Sequence, residues 1–148
     1  MYDRVISLIG NDNVNKLHNA KVLLIGVGGV GSFALEALIR SGIGHITIVD
    51  GDVYEISNLN RQLGSKMDNL GISKIDVAIK RVKEINPDID INGYAEYINE
   101  TNIEKYIDYD YIIDACDDIN AKVLLIKHAI NNNIKIISSC GSGKRINP

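Results

Sequence analysis

Cysteine is scarce in this chain: Cys116 and Cys140 are the only two in 148 residues, and they do not show metal-ligand spacing. Both fall in apolar surroundings near the ends of predicted strands, so they are expected to be reduced, small core residues. No apolar run approaches the ~20 residues of a membrane span, which excludes a transmembrane helix from the expected architecture. The opening Met1-Tyr2-Asp3-Arg4 has no basic region followed by an apolar stretch. Secretion is therefore not expected, and the expected compartment is the cytoplasm. Positive charge is also short: 16 Lys and Arg against 19 Asp and Glu leave a net charge of −3. That balance gives no global reason to expect nucleic-acid binding. Internal repeats and low-complexity tracts are lacking too. What remains, 45% hydrophobic and 24% charged, is an ordinary globular composition on a chain long enough for one buried core.

Short apolar runs alternate with stretches of helical period. Lys21–Gly26 is a continuous apolar run, as expected of a strand buried on both faces of a parallel sheet. A helix is predicted over Val30–Ser41, with Phe33, Ala34, Ala37 and Leu38 at helical spacing, and a β-branched strand over His45–Asp50. Ser73–Ile85 carries a stripe of Ile75, Val77, Ala78, Ile79, Val82 and Ile85, with Ser73 as N-cap. Further strands are predicted at Ile89–Tyr94, shorter, more polar and nearer an edge, at Tyr109–Ala115 and at Ile134–Ser139. The helix Ile119–Asn132 separates the last two, and Asn131–Asn133 reads as its terminating turn. Residues 1–20 read as short helices, with Val14 and Leu17 as packing points. Strand–helix alternation implies a Rossmann-like, doubly wound α/β domain over residues 21–148, a mostly parallel sheet with helices on both faces. The closing Gly143–Pro148 resembles the start of another segment, so the chain is expected to be part of a longer protein.

Between the first strand and first helix lies Gly26-Val27-Gly28-Gly29-Val30-Gly31, a G-x-G-x-x-G with one glycine more. A phosphate reaches bare backbone N–H groups at a helix N-terminus only where no Cβ intervenes. The motif alone is weak; the strand before it and the helix after it are the confirming context. Asp50 ends the second strand, where a carboxylate can accept hydrogen bonds from ribose hydroxyls. The competing reading is a tight turn with a strand-end aspartate that binds nothing. The polar stretch from Asp50 through Gln62 is too patterned for a routine connection. Arg61 within it and Lys74 beyond it are placed to converge on a triphosphate over the glycine loop, although Lys74 equally fits a solvated first turn. After the fourth strand come Asp114-Ala115-Cys116-Asp117-Asp118, carboxylates at the edge where open α/β folds bind ligands. Asp117 or Asp118 suits a Mg²⁺ that also holds phosphates; Asp118 fits equally as a helix N-cap, so the metal is assigned to Asp117.

Two other motifs fail. Gly141-Ser142-Gly143-Lys144 lacks the first glycine of a P-loop, where Ser138 stands, and its Ser/Thr, where Arg145 stands. Cys116 has no histidine near it in sequence, and His18, His45 and His128 fall on a loop, a strand start and a helix with no shared spacing.

Taken together, GVGGVG, IVDGDVYEISNLNRQ, a lysine opening the next helix and DACDD resemble the ThiF/MoeB-type adenylating enzymes, which include the ATP-binding half of ubiquitin-activating enzymes. The resemblance covers nearly the whole chain, and Ser57-Asn58-Leu59-Asn60-Arg61-Gln62 is its most specific part. It implies ATP and Mg²⁺ as cofactors. Gly26, Gly28, Gly29, Gly31, Asp50, Asp52, Asn58, Asn60, Arg61, Gln62, Lys74 and Asp117 would form the nucleotide site. Asp50 would hold the ribose, Asn60, Arg61 and Lys74 the phosphates, and Asp117 the metal. It also implies a homodimer in which Arg4, matching the second arginine of the family's R-Y-x-R segment, reaches into the partner's site. Arg61, Lys74 and Arg4 would then be the catalytic residues.

Leu8-Ile9-Gly10, Arg40–Gly44, Glu84–Pro87 and Ser139–Pro148 resemble most closely the branch that dehydrates a threonylcarbamoyl-modified adenosine of tRNA. That likeness implies a tRNA substrate, with a cysteine desulfurase or sulfur-acceptor protein as a further partner and no membrane. One alternative in the same class is adenylation of the C-terminal glycine of a ubiquitin-like sulfur carrier. An NAD-dependent oxidoreductase or nucleotide-sensing module would leave Asn58–Gln62 and Lys74 without a role. A catalytically silent dimeric scaffold would have no need of Arg61, Lys74 and Asp117.

Overall fold

The computed structural model of the chain describes residues 1–141. Five strands form one sheet: β1 (Lys21–Ile25), β2 (His45–Val49), β3 (Asp90–Tyr94), β4 (Tyr111–Asp114) and β5 (Lys135–Ser138). All pairings are parallel, in the order β3-β2-β1-β4-β5. The helices are α1 (Asp3–Ile9), α2 (Asn11–Asn19), α3 (Gly31–Ser41), α4 (Lys74–Ile85) and α5 (Ile119–Asn131). The doubly wound α/β expectation is met, and the polar strand β3 is at the edge. No helix among the described residues is long and apolar enough to cross a membrane.

The period of two along a strand divides the core in half. Val22, Leu24, Ile46 and Ile48 face Leu35 and Ile39 of α3 and Ile75, Ala78 and Val82 of α4. Leu23, Ile25, Val49 and Ile112 face Leu125 and Ala129 of α5 on the other side. Leu23 and Leu24 are both fully buried, each stabilising the fold by roughly 2 kcal/mol through lost apolar exposure. This is why the β1 run shows no alternation of polarity: both faces of the strand are covered. Val14 of α2 is buried and Leu17 packs against the first cluster, as their spacing predicted.

Several expectations are corrected. On α3 the buried face is Leu35 and Ile39, with Ala34 and Leu38 beside it, whereas Phe33 and Ala37 are exposed. A stripe of four apolar residues left two possible faces about 100° wide, and only the sheet's position selects one. His18 is part of α2 and not of a loop. Ser73 stands at the N-cap of α4, but its hydroxyl makes no capping bond and is buried without a partner among the described residues. Cys140 is exposed and not a core residue, whereas Cys116 is half-buried and packs against the second core cluster. The tail motif Ser142–Pro148 lies outside the described residues.

β1→β2→β3 runs toward one edge of the sheet and β4→β5 toward the other. The strand order therefore reverses between β1 and β4, and a crevice opens outside their carboxyl ends.

Candidate functional site

The glycine loop leaves β1 at this crevice. Gly26 has φ +85°, and a Cβ there would come within 2.9 Å of the Ala115 carbonyl across the crevice. Gly31, the first residue of α3, lies so close to the Gly26 oxygen that no Cβ fits. The loop thus packs backbone on backbone. Ser32 N donates to the Gly28 carbonyl at 3.0 Å, and among the described residues no side chain caps α3, so the helix N-terminus is not blocked by a capping side chain.

Asp50 sits directly under this loop. Its Oδ2 accepts from Val27 N at 2.8 Å and its Oδ1 from Asp52 N at 2.9 Å. Burial pushes its carboxyl above the ordinary value despite both bonds. Asp52 goes the other way: burial opposes its charge, but the Lys74 ammonium and the Tyr97 hydroxyl outweigh burial and lower it. Lys74 Nζ lies 2.6 Å from Asp52 Oδ2, and the lysine is only 4% exposed. The solvated-surface reading of Lys74 is therefore excluded.

The segment after Asp52 is held by its own polar groups. Glu55 and Asn58 form a reciprocal capping box on a 3-10 turn at Ile56–Asn58, which buries Asn58. That turn carries Arg61 over Gly29, where a Cβ would touch the arginine stem at 3.6 Å. The guanidinium donates from Nη1 to Ser57 O at 2.9 Å and to Asn60 Oδ1 at 3.1 Å. Among the described residues its other donors have no partner. Gln62 is buried beside Gly28, and its Oε1 has no partner among the described residues.

The opposite wall comes from β4 and α5. Asp114 is fully buried and accepts from Lys122 Nζ at 3.0 Å, Ser138 Oγ at 2.5 Å and Cys116 Sγ at 3.0 Å. Burial, then the Asp114 carboxylate, push the Cys116 thiol up to about 12, so it is not a thiolate at neutral pH. Asp118 caps α5 by accepting from Asn120 N and Ala121 N; both aspartates are exposed, and Asp117 is the one not engaged in the cap.

These walls enclose a cleft of about 870 Å³. Gly26, Gly28, Gly29, Asp50, Asp52, Asn58, Arg61, Gln62, Lys74 and Asp117 all line it. Gly31 supports it from within α3, Asn60 holds Arg61, and Arg4 stands exposed on α1 away from the lining. A second cavity, between α3 and α4 over Tyr54, is about 20 Å³ and holds no more than a single water. Sequence reasoning missed Tyr97 and the Asp114–Lys122 pair. Tyr97 was findable as the aromatic residue just past the carboxyl end of β3; nothing in the local pattern marked Lys122.

The comparisons agree with this geometry. The tRNA threonylcarbamoyladenosine dehydratase of Bacillus subtilis is 41% identical over 142 residues, covering 95% of this chain and 56% of the relative. An adenylyltransferase and sulfurtransferase of Saccharomyces cerevisiae is 37% identical over 129 residues, covering 86% of this chain and 29% of that protein. The crystal structure of the Escherichia coli tRNA threonylcarbamoyladenosine dehydratase in complex with ATP superposes with a TM-score of 0.94 at 34% identity, covering 99% of this chain and 61% of that one. The chain thus spans about half the length of the dehydratases it matches. With the glycine loop, the Asn58–Gln62 turn and Lys74 assembled in one crevice, and the ThiF family pattern matching residues 2–145, the chain belongs to the ThiF family.

Proposed function

We propose that this chain is the ATP-binding part of a tRNA threonylcarbamoyladenosine dehydratase. The observation that carries the reading is the convergence of Arg61 and Lys74, from separate elements, on one cleft with a glycine loop whose Gly28 and Gly29 place no Cβ over their backbone. The match to the Bacillus subtilis dehydratase, 41% identical over 95% of this chain against 37% over 86% for the sulfurtransferase, favours the tRNA substrate over a sulfur carrier.

The fit to ATP rests on the donor set. The N-terminus of α3 and Gly28 and Gly29 offer N–H groups without Cβ obstruction, and Arg61 and Lys74 add charge. Asp50 would take the ribose hydroxyls. Among the described residues no three metal-ligating side chains cluster, so a Mg²⁺ at Asp117 would share its shell with phosphate oxygens. Arg4 of a second copy would complete the cationic set in a homodimer.

ATP supplies the phosphorus that turns a carboxylate oxygen into a good leaving group. The residues of this chain hold the charge that develops on the phosphates, Lys74 from a buried position where its field is least screened. The activated carbonyl is then attacked by a nucleophile of the same threonylcarbamoyl side chain, with net loss of one water. No enzyme nucleophile is required, in keeping with the raised pKa of Cys116.

The test uses the full-length protein with ATP, Mg²⁺ and tRNA carrying the threonylcarbamoyl modification. Mass spectrometry of the digested tRNA is expected to show ATP-dependent loss of one water, abolished in Arg61→Ala. An unchanged nucleoside, with pyrophosphate exchange appearing on addition of a ubiquitin-like carrier, would overturn the reading in favour of carrier activation.

A further inference from the structure

Tyr97 is a cleft residue that neither the glycine motif nor the proposed chemistry employs. It follows β3 on a loop held by Asn99 Nδ2 and Asn102 Nδ2, which donate to the Tyr97 carbonyl at 3.1 and 2.9 Å. Its ring lies on Gly51, where a Cβ would come within 2.6 Å of the ring carbons. The ring therefore rests on the turn joining Asp50 to Asp52. From there the hydroxyl donates to Asp52 Oδ1 at 2.5 Å, while Asp52 Oδ2 faces Lys74 Nζ at 2.6 Å. One carboxylate thus ties the loop after β3 to the first turn of α4.

The order of the three groups matters. An ammonium has three donors, and Asp52 occupies one of them. A lysine this deeply buried cannot exchange its counter-ion for another anion without passing through an unpaired charge, which is costly. An arriving phosphate therefore joins Asp52 on Lys74, and the direction of the free donors follows from how Asp52 is oriented. The Asp52 side chain is itself 47% exposed and rotates freely unless its second oxygen is held. Tyr97 holds it. The hydrogen bond to Asp52, and then the Asp52 charge, push the phenol up to about 12, so the hydroxyl remains a donor throughout the neutral range.

We propose that Tyr97 is a positioning residue of the anion site, its hydroxyl fixing Asp52 so that Asp52 aims Lys74 at the phosphates of a bound nucleotide. The proposal rests on the reading of Lys74 as a phosphate ligand.

Tyr97→Phe keeps the ring on Gly51 and removes only the hydroxyl. In the full-length protein without nucleotide, the acylation rate of Lys74 by a water-soluble succinimidyl ester is read by mass spectrometry. Affinities for ATP and for adenosine are read by titration calorimetry. The variant is expected to acylate Lys74 severalfold faster and to bind ATP about three- to tenfold more weakly, with adenosine unaffected. In an Asp52→Asn background the same change is expected to have no effect on ATP. Unchanged Lys74 acylation, or equal losses for ATP and adenosine, would overturn the proposal. Wild-type protein that binds no ATP while Lys74 acylation still responds to Tyr97→Phe supports the Tyr97–Asp52–Lys74 coupling and overturns the nucleotide reading alone.

Discussion

Lys122 Nζ lies 3.0 Å from Asp114 Oδ2 and 3.1 Å from its Oδ1 and, with a third bond of 2.7 Å to the Ser139 carbonyl, joins α5 to the ends of β4 and β5. Asp114 has no solvent exposure at all. Lys122→Met leaves that carboxylate charged and unpaired, and a loss of about 3 kcal/mol is expected in urea denaturation. Adding Asp114→Asn is expected to recover part of the loss, because it is the stranded charge and not the missing pair that destabilises.

The glycines of the loop separate fold from function. Gly31→Ala places a methyl against the Gly26 carbonyl and is expected to cost about 3 kcal/mol or to prevent folding. At Gly28 the nearest atom to a new Cβ is Gln62 Nε2 at 3.7 Å, an ordinary contact. Gly28→Ala is expected to leave the melting temperature within a few degrees of wild type while weakening ATP binding about tenfold or more. Thermal melts and titration calorimetry on the two variants check this. Equal effects on both measurements would show that Gly28 is only a turn residue.

The two thiols are expected to differ in reactivity. Cys116 is half-buried with its thiol raised to about 12, whereas Cys140 is exposed. Iodoacetamide at about pH 8 should modify Cys140 well before Cys116 in the folded protein, as read by peptide mass spectrometry. Cys116→Ala in the full-length protein should leave the proposed dehydration unchanged, since the proposed chemistry does not use the thiol.

Acid should destabilise the fold through Glu36, Asp52 and Glu96. For Glu36 and Asp52 burial opposes ionisation but is outweighed, by Arg81 and Arg40 and by Lys74 and Tyr97 respectively. Glu96 is lowered by Lys105 first and then by Tyr106. A depressed carboxyl contributes stability that is present above its unfolded value, 4.5 for Glu and 3.8 for Asp, and is lost as pH falls through the folded value. Asp50, raised by burial, contributes with the opposite sign: its share is present below 3.8 and lost as pH rises. Three groups against one predict a urea midpoint that drops between about pH 5 and pH 3. Glu36→Gln should flatten that limb.

Much of the architecture was legible because its signals are local. A continuous apolar run such as Lys21–Ile25 has one stable environment, the middle of a parallel sheet. A glycine loop between such a strand and a helix must sit at the carboxyl edge, so Gly26–Gly31 and Asp50 could be assigned without coordinates. The 3-10 turn at Ile56–Asn58 likewise carries its own capping box from Glu55 and Asn58, which is why its pattern stands out in the sequence.

What the sequence left open depended on distance through space. Which face of α3 packs inward and whether Lys74 is solvated were settled by neighbours far along the chain. Leu35 and Ile39 win over Phe33 and Ala37 because the sheet approaches from their side. Lys74 is buried because Asp52, 22 residues away, stands ready to neutralise it, and Tyr97 joins them from 45 residues beyond Asp52. The sequence by itself determined the strand–helix alternation and the location of the crevice, since backbone periodicity and glycine sterics act within a few residues. Only the tertiary structure decided the charge pairing inside that crevice. A buried charge is stable only beside its partner, and local sequence carries no record of which distant residue the fold brings there.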